Sequence, residues 1–269
     1  MESVTDERPL HFFKGVDMLP FVTIMGRSLP MYAVMGISGF LLGLLFALLR
    51  AQRFGLSRDD AAYIYVFSVL GALAEAKLIY IITILPKISS VSELALHFRG
   101  GFVFFGGVLG AVPAAYLSAR AYRVRLRDLM PVLAPCIAII GCLGRVGCFC
   151  AGCCWGVESC SPLAVVFPEG SLGAPAGVPL LPVQLFEAAV QLALFFLLLW
   201  FTSERRRAQY AAELYLLCYC PARFVLEFFR GDTERGFLLG LSTSQWLAIL
   251  VFFAVSLYIF ICKRLKKPD

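Results

Sequence analysis

Residues 129–149 read "LMPVLAPCIAIIGCLGRVGCF", an apolar run whose single charged residue is Arg145. A helix needs ~20 such residues to cross ~30 Å of hydrocarbon. Strands of a transmembrane barrel alternate apolar and polar positions, and this stretch does not. It is expected to be a membrane helix. Six further blocks of similar character flank it, at Met31–Leu49, Ala62–Leu85, Phe102–Ala121, Val183–Phe201, Ala211–Phe229 and Ser244–Cys262. The chain of 269 residues is 60% hydrophobic and 16% charged, with a mean hydropathy of +0.81; soluble domains carry about 25% charge. The expected fold is therefore all-α: a polytopic membrane protein with about seven transmembrane helices. Residues 1–269 form one membrane domain, with a long Gly- and Pro-rich external loop at about 150–182. The first 30 residues hold no apolar core, so no cleavable signal peptide is expected.

Orientation follows from the basic residues of the short loops. Arg50, Arg53 and Arg58 fall in the first loop, Arg120, Arg123, Arg125 and Arg127 in the third, and Arg205, Arg206 and Arg207 in the fifth. Lys263, Arg264, Lys266 and Lys267 follow the last block, so that these four segments hold 14 of the 24 basic residues. The C-terminus is expected on the cytoplasmic side and the N-terminus outside. The net charge of +6 is then topological and gives no reason to expect a nucleic-acid partner; the basic loops would face anionic lipid.

Three cations remain inside the blocks: Lys77, Arg145 and Arg223. Each costs ~2.5–3.5 kcal/mol at a helix centre on insertion scales, so intramembrane charge is a functional candidate by default. In "RFVLEFFR", Arg223, Glu227 and Arg230 stand at i, i+4 and i+7 on one helix face. The trio has a net charge of +1. A buried ion-pair network joining two helices and an anion site both account for it. Arg145 reaches similar depth from the fourth span, which offers it no carboxylate. A bound anion would neutralise it, and arginine's planar fork suits phosphate. Tyr32, Gln184 and Glu187 open their spans at the same side and suggest a polar chamber facing lipid. Gly39 and Gly43, and Gly106 and Gly110, have the spacing of close helix packing. The double glycines Gly100–Gly101 and Gly106–Gly107 allow irregular backbone, which is tolerated at membrane depth only where it lines protein or a cavity.

These motifs resemble the prolipoprotein diacylglyceryl transferase family over nearly the whole chain. The family's G-R-x-G-N-F-x-N-x-E-x-x-G frame is met by "GRVGCFCAGCCWG" at 144–156, where Arg145, Gly147, Phe149 and Gly156 agree. Its "RFxxEFFR" and P-x-Q-L-Y-E-A motifs match Arg223–Arg230 and "PVQLFEA". "GGFVFFGGVLGA" resembles its third-span entry, and Tyr32 its first-span tyrosine. The resemblance implies transfer of a diacylglyceryl group from phosphatidylglycerol to the cysteine thiol of a lipoprotein precursor, releasing glycerol phosphate. It implies a multi-pass protein of the bacterial plasma (inner) membrane whose partners are phosphatidylglycerol, a precursor bearing a lipobox cysteine or another acceptor, and membrane lipids. Arg145, Arg223, Tyr32, Cys148 and Cys153 are the expected catalytic residues. Arg145, Arg223, Glu227, Arg230, Gln184, Glu187, Gly106, Gly107, Gly156 and Lys77 are expected to bind substrate. Neither cofactor nor metal is expected. The departures concentrate where the acceptor thiol is activated. The family's histidine is Phe105 here, its two asparagines are Cys148 and Ala151, its glutamate is Cys153, and its second-span arginine is Lys77. His11 and His97 are the chain's two histidines, and His97 is a candidate substitute base.

Of ten cysteines, Cys148, Cys150, Cys153, Cys154 and Cys160 fall at or beyond the outer end of the fourth span. Three readings stay open for them: a disulfide bracing the loop, a thiolate sharpened by Arg145, or a metal or redox centre. The spacing in one stretch is unlike the separated pairs of structural zinc sites. A transferase is therefore the main expectation. The alternatives are a paralogue with another acceptor, or a membrane thiol–disulfide or metal-binding protein on the same fold.

Overall fold

The computed structural model describes residues 20–24, 26–88, 90, 92–94, 104–232 and 236–265. His11, His97 and the pair Gly100–Gly101 lie outside the described residues. Among the described residues, seven long helices occupy the apolar blocks: α1 (Met31–Ala51), α2 (Arg58–Ile84), α3 (Phe104–Ala121), α4 (Leu126–Ala151), α5 (Val183–Phe201), α6 (Ala211–Glu227) and α7 (Thr243–Leu265). Among the described residues α1, α2, α4, α5 and α7 are long and apolar enough to cross a membrane. Helices α3 and α6 are shorter, at 18 and 17 residues.

The structure is mostly helical, as expected, and among the described residues three short two-stranded antiparallel ribbons accompany the helices. They are β1 (Phe21–Ile24) with β2 (Arg27–Pro30), β3 (Val165–Val166) with β4 (Pro179–Leu180), and β5 (Phe237–Leu238) with β6 (Leu241–Ser242). They lie where chain leaves a helix and its backbone groups need new partners. The long loop is likewise built rather than featureless. Phe167 and Leu180 are buried there with Phe149 from the end of α4.

Helix α4 is the axis of the bundle. It packs on α1 and α5, α5 on α6, and α6 on α7, while α2 and α3 form a pair resting on α1. Glycine brings the partners close. A Cβ on Gly39 would stand 3.3 Å from Ile140 Cα, and one on Gly106 would stand 2.7 Å from Ala76 Cα. One on Gly110 would overlap the Gly71 carbonyl oxygen.

The basic loops gather at one end. Arg50 Nη2 donates to Thr202 Oγ1 at 2.5 Å and Arg53 Nη2 to the Ser203 carbonyl at 2.6 Å, which joins the first loop to the fifth. Tyr63 stacks on Tyr122 of the third. Arg127 Nη2 donates to the Tyr258 hydroxyl at 3.1 Å, bringing the end of α7 to the same level.

Candidate active site

The site grows from two polar stripes that face each other. On α5, Gln184, Glu187 and Gln191 recur at three- and four-residue steps. On α6, Tyr215, Tyr219, Arg223 and Glu227 recur at strict four-residue steps, so each stripe lies along one helix face. The lower rung is a closed pair: Gln191 Nε2 donates to the Tyr215 hydroxyl at 3.1 Å and that hydroxyl donates to Gln191 Oε1 at 3.2 Å. Gly141 of α4 admits Gln191, since a Cβ there would stand 2.9 Å from its amide.

One turn nearer the start of α5 the charges meet. Arg145 Nε lies 3.0 Å from Glu187 Oε2, and Arg223 Nη1 lies 3.3 Å from the same oxygen. The Tyr219 hydroxyl donates to the other oxygen, Oε1, at 2.7 Å. Arg223 Nη2 lies 2.7 Å from Glu227 Oε2 and reaches Ser244 Oγ at 3.4 Å. Arg230 grips Asp232, with Nη2 at 2.7 Å and Nε at 3.1 Å, and approaches Glu227 Oε2 at 3.9 Å. The carboxylates of Glu187 and Glu227 keep only 2% of their side-chain surface, while Arg145 keeps 15% and Arg223 12%. The cations are therefore the accessible face of the cluster.

This corrects the expectation that Arg145 has no counter-ion. No carboxylate on its own helix serves it, but Glu187 of α5 does. Asp232 likewise matches the charge left over in the Arg223–Glu227–Arg230 stripe. Glu187, expected to line the chamber, is the anion that both arginines share. Among the described residues no hydrogen bond engages the terminal nitrogens of Arg145.

A backbone seam brings the 144–156 stretch to the end of α6. Gly156 N donates to the Leu181 carbonyl at 3.1 Å, Val157 N to that of Phe229 at 2.9 Å, and Gly231 N to that of Trp155 at 3.0 Å. Gly156 and Arg230 thereby form an antiparallel bridge. A Cβ on Gly156 would overlap the Leu181 carbonyl oxygen, so glycine is what allows the seam to close.

Helix α4 ends on Gly152 at φ 73°, with Gly152 N reaching back to the carbonyls of Cys148 and Phe149. This is the left-handed ending that favours glycine. Cys154, at φ 57°, turns the chain again. The thiols of Cys148, Cys153 and Cys154 consequently lie within 4.8 Å of one another. The ten cysteines stand as free thiols in this structure. Gln184 Nε2 donates to the Cys153 carbonyl at 2.8 Å and ties this turn to α5. Cys154 is pushed below the ordinary thiol range by hydrogen bonds from Cys148 and Cys153, with the charges of Arg145 and Arg230 adding to the effect.

Other expected residues stand apart from this cluster. Tyr32 lies at the start of α1, where Gly147 meets it: a Cβ on Gly147 would be 3.0 Å from Tyr32 Cα. Tyr32 is 37% exposed. Lys77 holds its ammonium 5.3 Å from the Tyr80 ring centre on α2. Helix α2 packs on α3 and α1 rather than on α5 or α6. Gly106 is occupied with α2, and Gly107 has the same helix as its neighbour. Sequence reasoning missed Tyr219, Asp232 and Ser244. The signal for Tyr219 was available, since it stands one turn before Arg223.

The family model for prolipoprotein diacylglyceryl transferase matches residues 20–261 of this chain. Among curated relatives, the phosphatidylglycerol–prolipoprotein diacylglyceryl transferase 2 of Clostridium perfringens is 32% identical over 229 residues, covering 85% of this chain and 89% of the relative. The corresponding transferase of Clostridium tetani is 28% identical, covering 91% of this chain and 97% of its own length. That of Bordetella avium is 34% identical, over 76% and 77% of the two chains.

Proposed function

The chain belongs to the prolipoprotein diacylglyceryl transferase family, and from that footing we propose that it moves a diacylglyceryl group from phosphatidylglycerol to the cysteine thiol of a lipoprotein precursor, releasing glycerol phosphate. It is a membrane-bound transferase. One observation carries the assignment of the chemistry to particular residues: Arg145 and Arg223, from different helices, converge on the single oxygen Glu187 Oε2 at 3.0 and 3.3 Å. Two guanidiniums close enough to share one oxygen are close enough to share one phosphate.

In the reaction, the acceptor sulfur attacks the glyceryl carbon that carries the phosphate. The carbon–sulfur bond forms as the carbon–oxygen bond breaks, and the electron pair leaves on the phosphate of glycerol phosphate. Arg145 and Arg223 hold that phosphate and stabilise its growing charge. Donors already fixed in a low-dielectric site need little reorganisation during the step. Glu187 keeps both cations in place before substrate arrives, and Tyr219 keeps Glu187 from rotating. Arg230 and Glu227 brace Arg223, and Gln184 holds the turn beside them. Tyr32 and the α2–α3 pair, with Lys77, Gly106 and Gly107, border the path along which the two substrates enter from the bilayer.

The seven helices cross the plasma membrane of the bacterium, with the N-terminus outside and the C-terminus in the cytoplasm. The gathering of Arg50, Arg53 and Arg127 at one end supports that orientation. The arginine cluster then opens in the outer half of the bilayer, where precursors emerge. Purified protein given labelled phosphatidylglycerol and a lipobox peptide should yield lipidated peptide and free glycerol phosphate in equal amounts. Release of glycerol phosphate without lipidated peptide would point to another acceptor, and release of neither would sink the proposal.

A further inference from the structure

We propose that Cys148, Cys153 and Cys154 form a three-thiolate site for a thiophilic divalent cation of the zinc type, whose fourth coordination position takes the acceptor thiol. The proposal rests on the transferase reading above and gives the acceptor thiol a route to its thiolate. Among the described residues each carboxylate in the arginine cluster is held by an arginine, so none of these is placed to take the acceptor's proton.

The geometry carries the metal site. Three sulfurs lie within 4.8 Å of one another, and sulfurs sharing one ion at ~2.3 Å stand ~4 Å apart. Only a small adjustment separates the two arrangements. The turn that presents them is held from several sides. Cys153 N donates to the Cys148 carbonyl at 3.1 Å, Gln184 fixes the Cys153 carbonyl, and Gly152 and Cys154 adopt left-handed backbone. Gln184 Oε1 is buried, with no hydrogen-bond partner among the described residues. It is an acceptor standing beside the turn, suited to an N–H of an incoming peptide.

Three protein ligands and one open position are the pattern of catalytic rather than structural zinc. A thiol that coordinates such an ion is deprotonated outright, and the thiolate is the nucleophilic form. The acceptor S–H would thus enter the fourth position as thiolate, its proton passing to water. The sulfur's electron pair forms the bond to the glyceryl carbon while the phosphate departs toward Arg145 and Arg223. The thioether product, a poorer ligand than thiolate, leaves the ion.

The test uses full-length protein in detergent under reducing conditions, titrated with Co²⁺ alone. A sulfur-to-cobalt charge-transfer band saturating at one ion per chain is expected. It should disappear in Cys148→Ser, Cys153→Ser and Cys154→Ser and persist in Cys160→Ser. In wild type, Zn²⁺ should protect those three residues, and not Cys160, from iodoacetamide as read by mass spectrometry, which covers any variant that fails to fold. A cysteine peptide should then alter the cobalt ligand-field bands, and its serine counterpart should not. Absence of the band and of the protection overturns the site. A chelator-stripped enzyme that lipidates peptide at an unchanged rate overturns the inference and leaves the transferase reading standing. A saturating thiolate band in protein that cleaves no lipid does the reverse: it sinks the transferase reading and supports the site.

Discussion

The Tyr219 hydroxyl donates to Glu187 Oε1 at 2.7 Å, leaving Oε2 to Arg145 and Arg223. The carboxylate is therefore divided, one oxygen for orientation and one for charge. Tyr219→Phe keeps the ring, which stacks on Tyr215 with centres 5.5 Å apart, and removes only the hydrogen bond. Hydrogen bonds to charged groups contribute about 1.5–3 kcal/mol, equivalent to roughly ten- to hundredfold in rate. Initial rates of glycerol phosphate release, taken per folded molecule, should fall within that range, and the midpoint of thermal unfolding should drop by several degrees. An unchanged kcat/KM would remove Tyr219 from the site.

Arginine and lysine differ in the feature the phosphate would use. The guanidinium offers a planar fork, whereas lysine offers a point charge. Arg145→Lys and Arg223→Lys should each lose at least about a hundredfold in kcat/KM, consistent with loss of paired charge-assisted hydrogen bonds. The corresponding alanine variants should release no measurable glycerol phosphate. Cys262→Ala, on the last turns of α7, should match wild type. Lysine variants with near-normal rates would mean that charge alone matters and the fork does not.

The helices were legible because each apolar block reports its own burial in lipid. Val183 and Phe201, expected as the ends of a span, are the ends of α5. The ribbons were not legible, because a pair such as Val165–Val166 with Pro179–Leu180 is too short to show a period. In the site, the intramembrane cations Arg145 and Arg223 announced themselves by their cost in hydrocarbon. Their counter-ion did not: the pairing of Glu187 with Arg145 is tertiary, fixed by how α4 meets α5. The closeness of three thiols was not legible for a related reason: two left-handed residues, Gly152 and Cys154, fold a single stretch so that Cys153 and Cys154 stand beside Cys148, which spacing along the chain does not show.

Glu187→Gln tests whether the cluster is an anion site held closed by its own carboxylate. The variant is nearly isosteric but leaves Arg145 with no carboxylate among the described residues, and Arg223 with Glu227 alone. Removing one partner of a buried pair costs about 3–5 kcal/mol. The unfolding midpoint in detergent should drop by several degrees, and added phosphatidylglycerol should restore more of it than phosphatidylethanolamine does. The same addition should raise the wild-type midpoint less, because its arginines already have a partner. Equal recovery with both lipids would show that the vacated charge does not recognise an anionic headgroup.

Two glycines separate the contribution of the seam from that of general packing. A Cβ on Gly156 would overlap the Leu181 carbonyl oxygen and stand 2.6 Å from Val183 Cγ2 and 2.9 Å from the Phe229 carbonyl oxygen. One on Gly110 would overlap the Gly71 carbonyl oxygen, prying α3 from α2 at a distance from the arginines. Overpacking of this kind costs about 1–3 kcal/mol, so both alanine variants should unfold earlier than wild type by similar amounts. Their activities should diverge. Gly156→Ala moves the bridge to Arg230 and with it the end of α6, so kcat/KM per folded molecule should fall by about tenfold or more, in proportion to ~1.4 kcal/mol of lost positioning. Gly110→Ala should retain wild-type kcat/KM once corrected for folded fraction by size-exclusion chromatography. If the two variants lose activity in parallel, the seam has no role beyond stability, and the closeness of residues 144–156 to the end of α6 is packing alone.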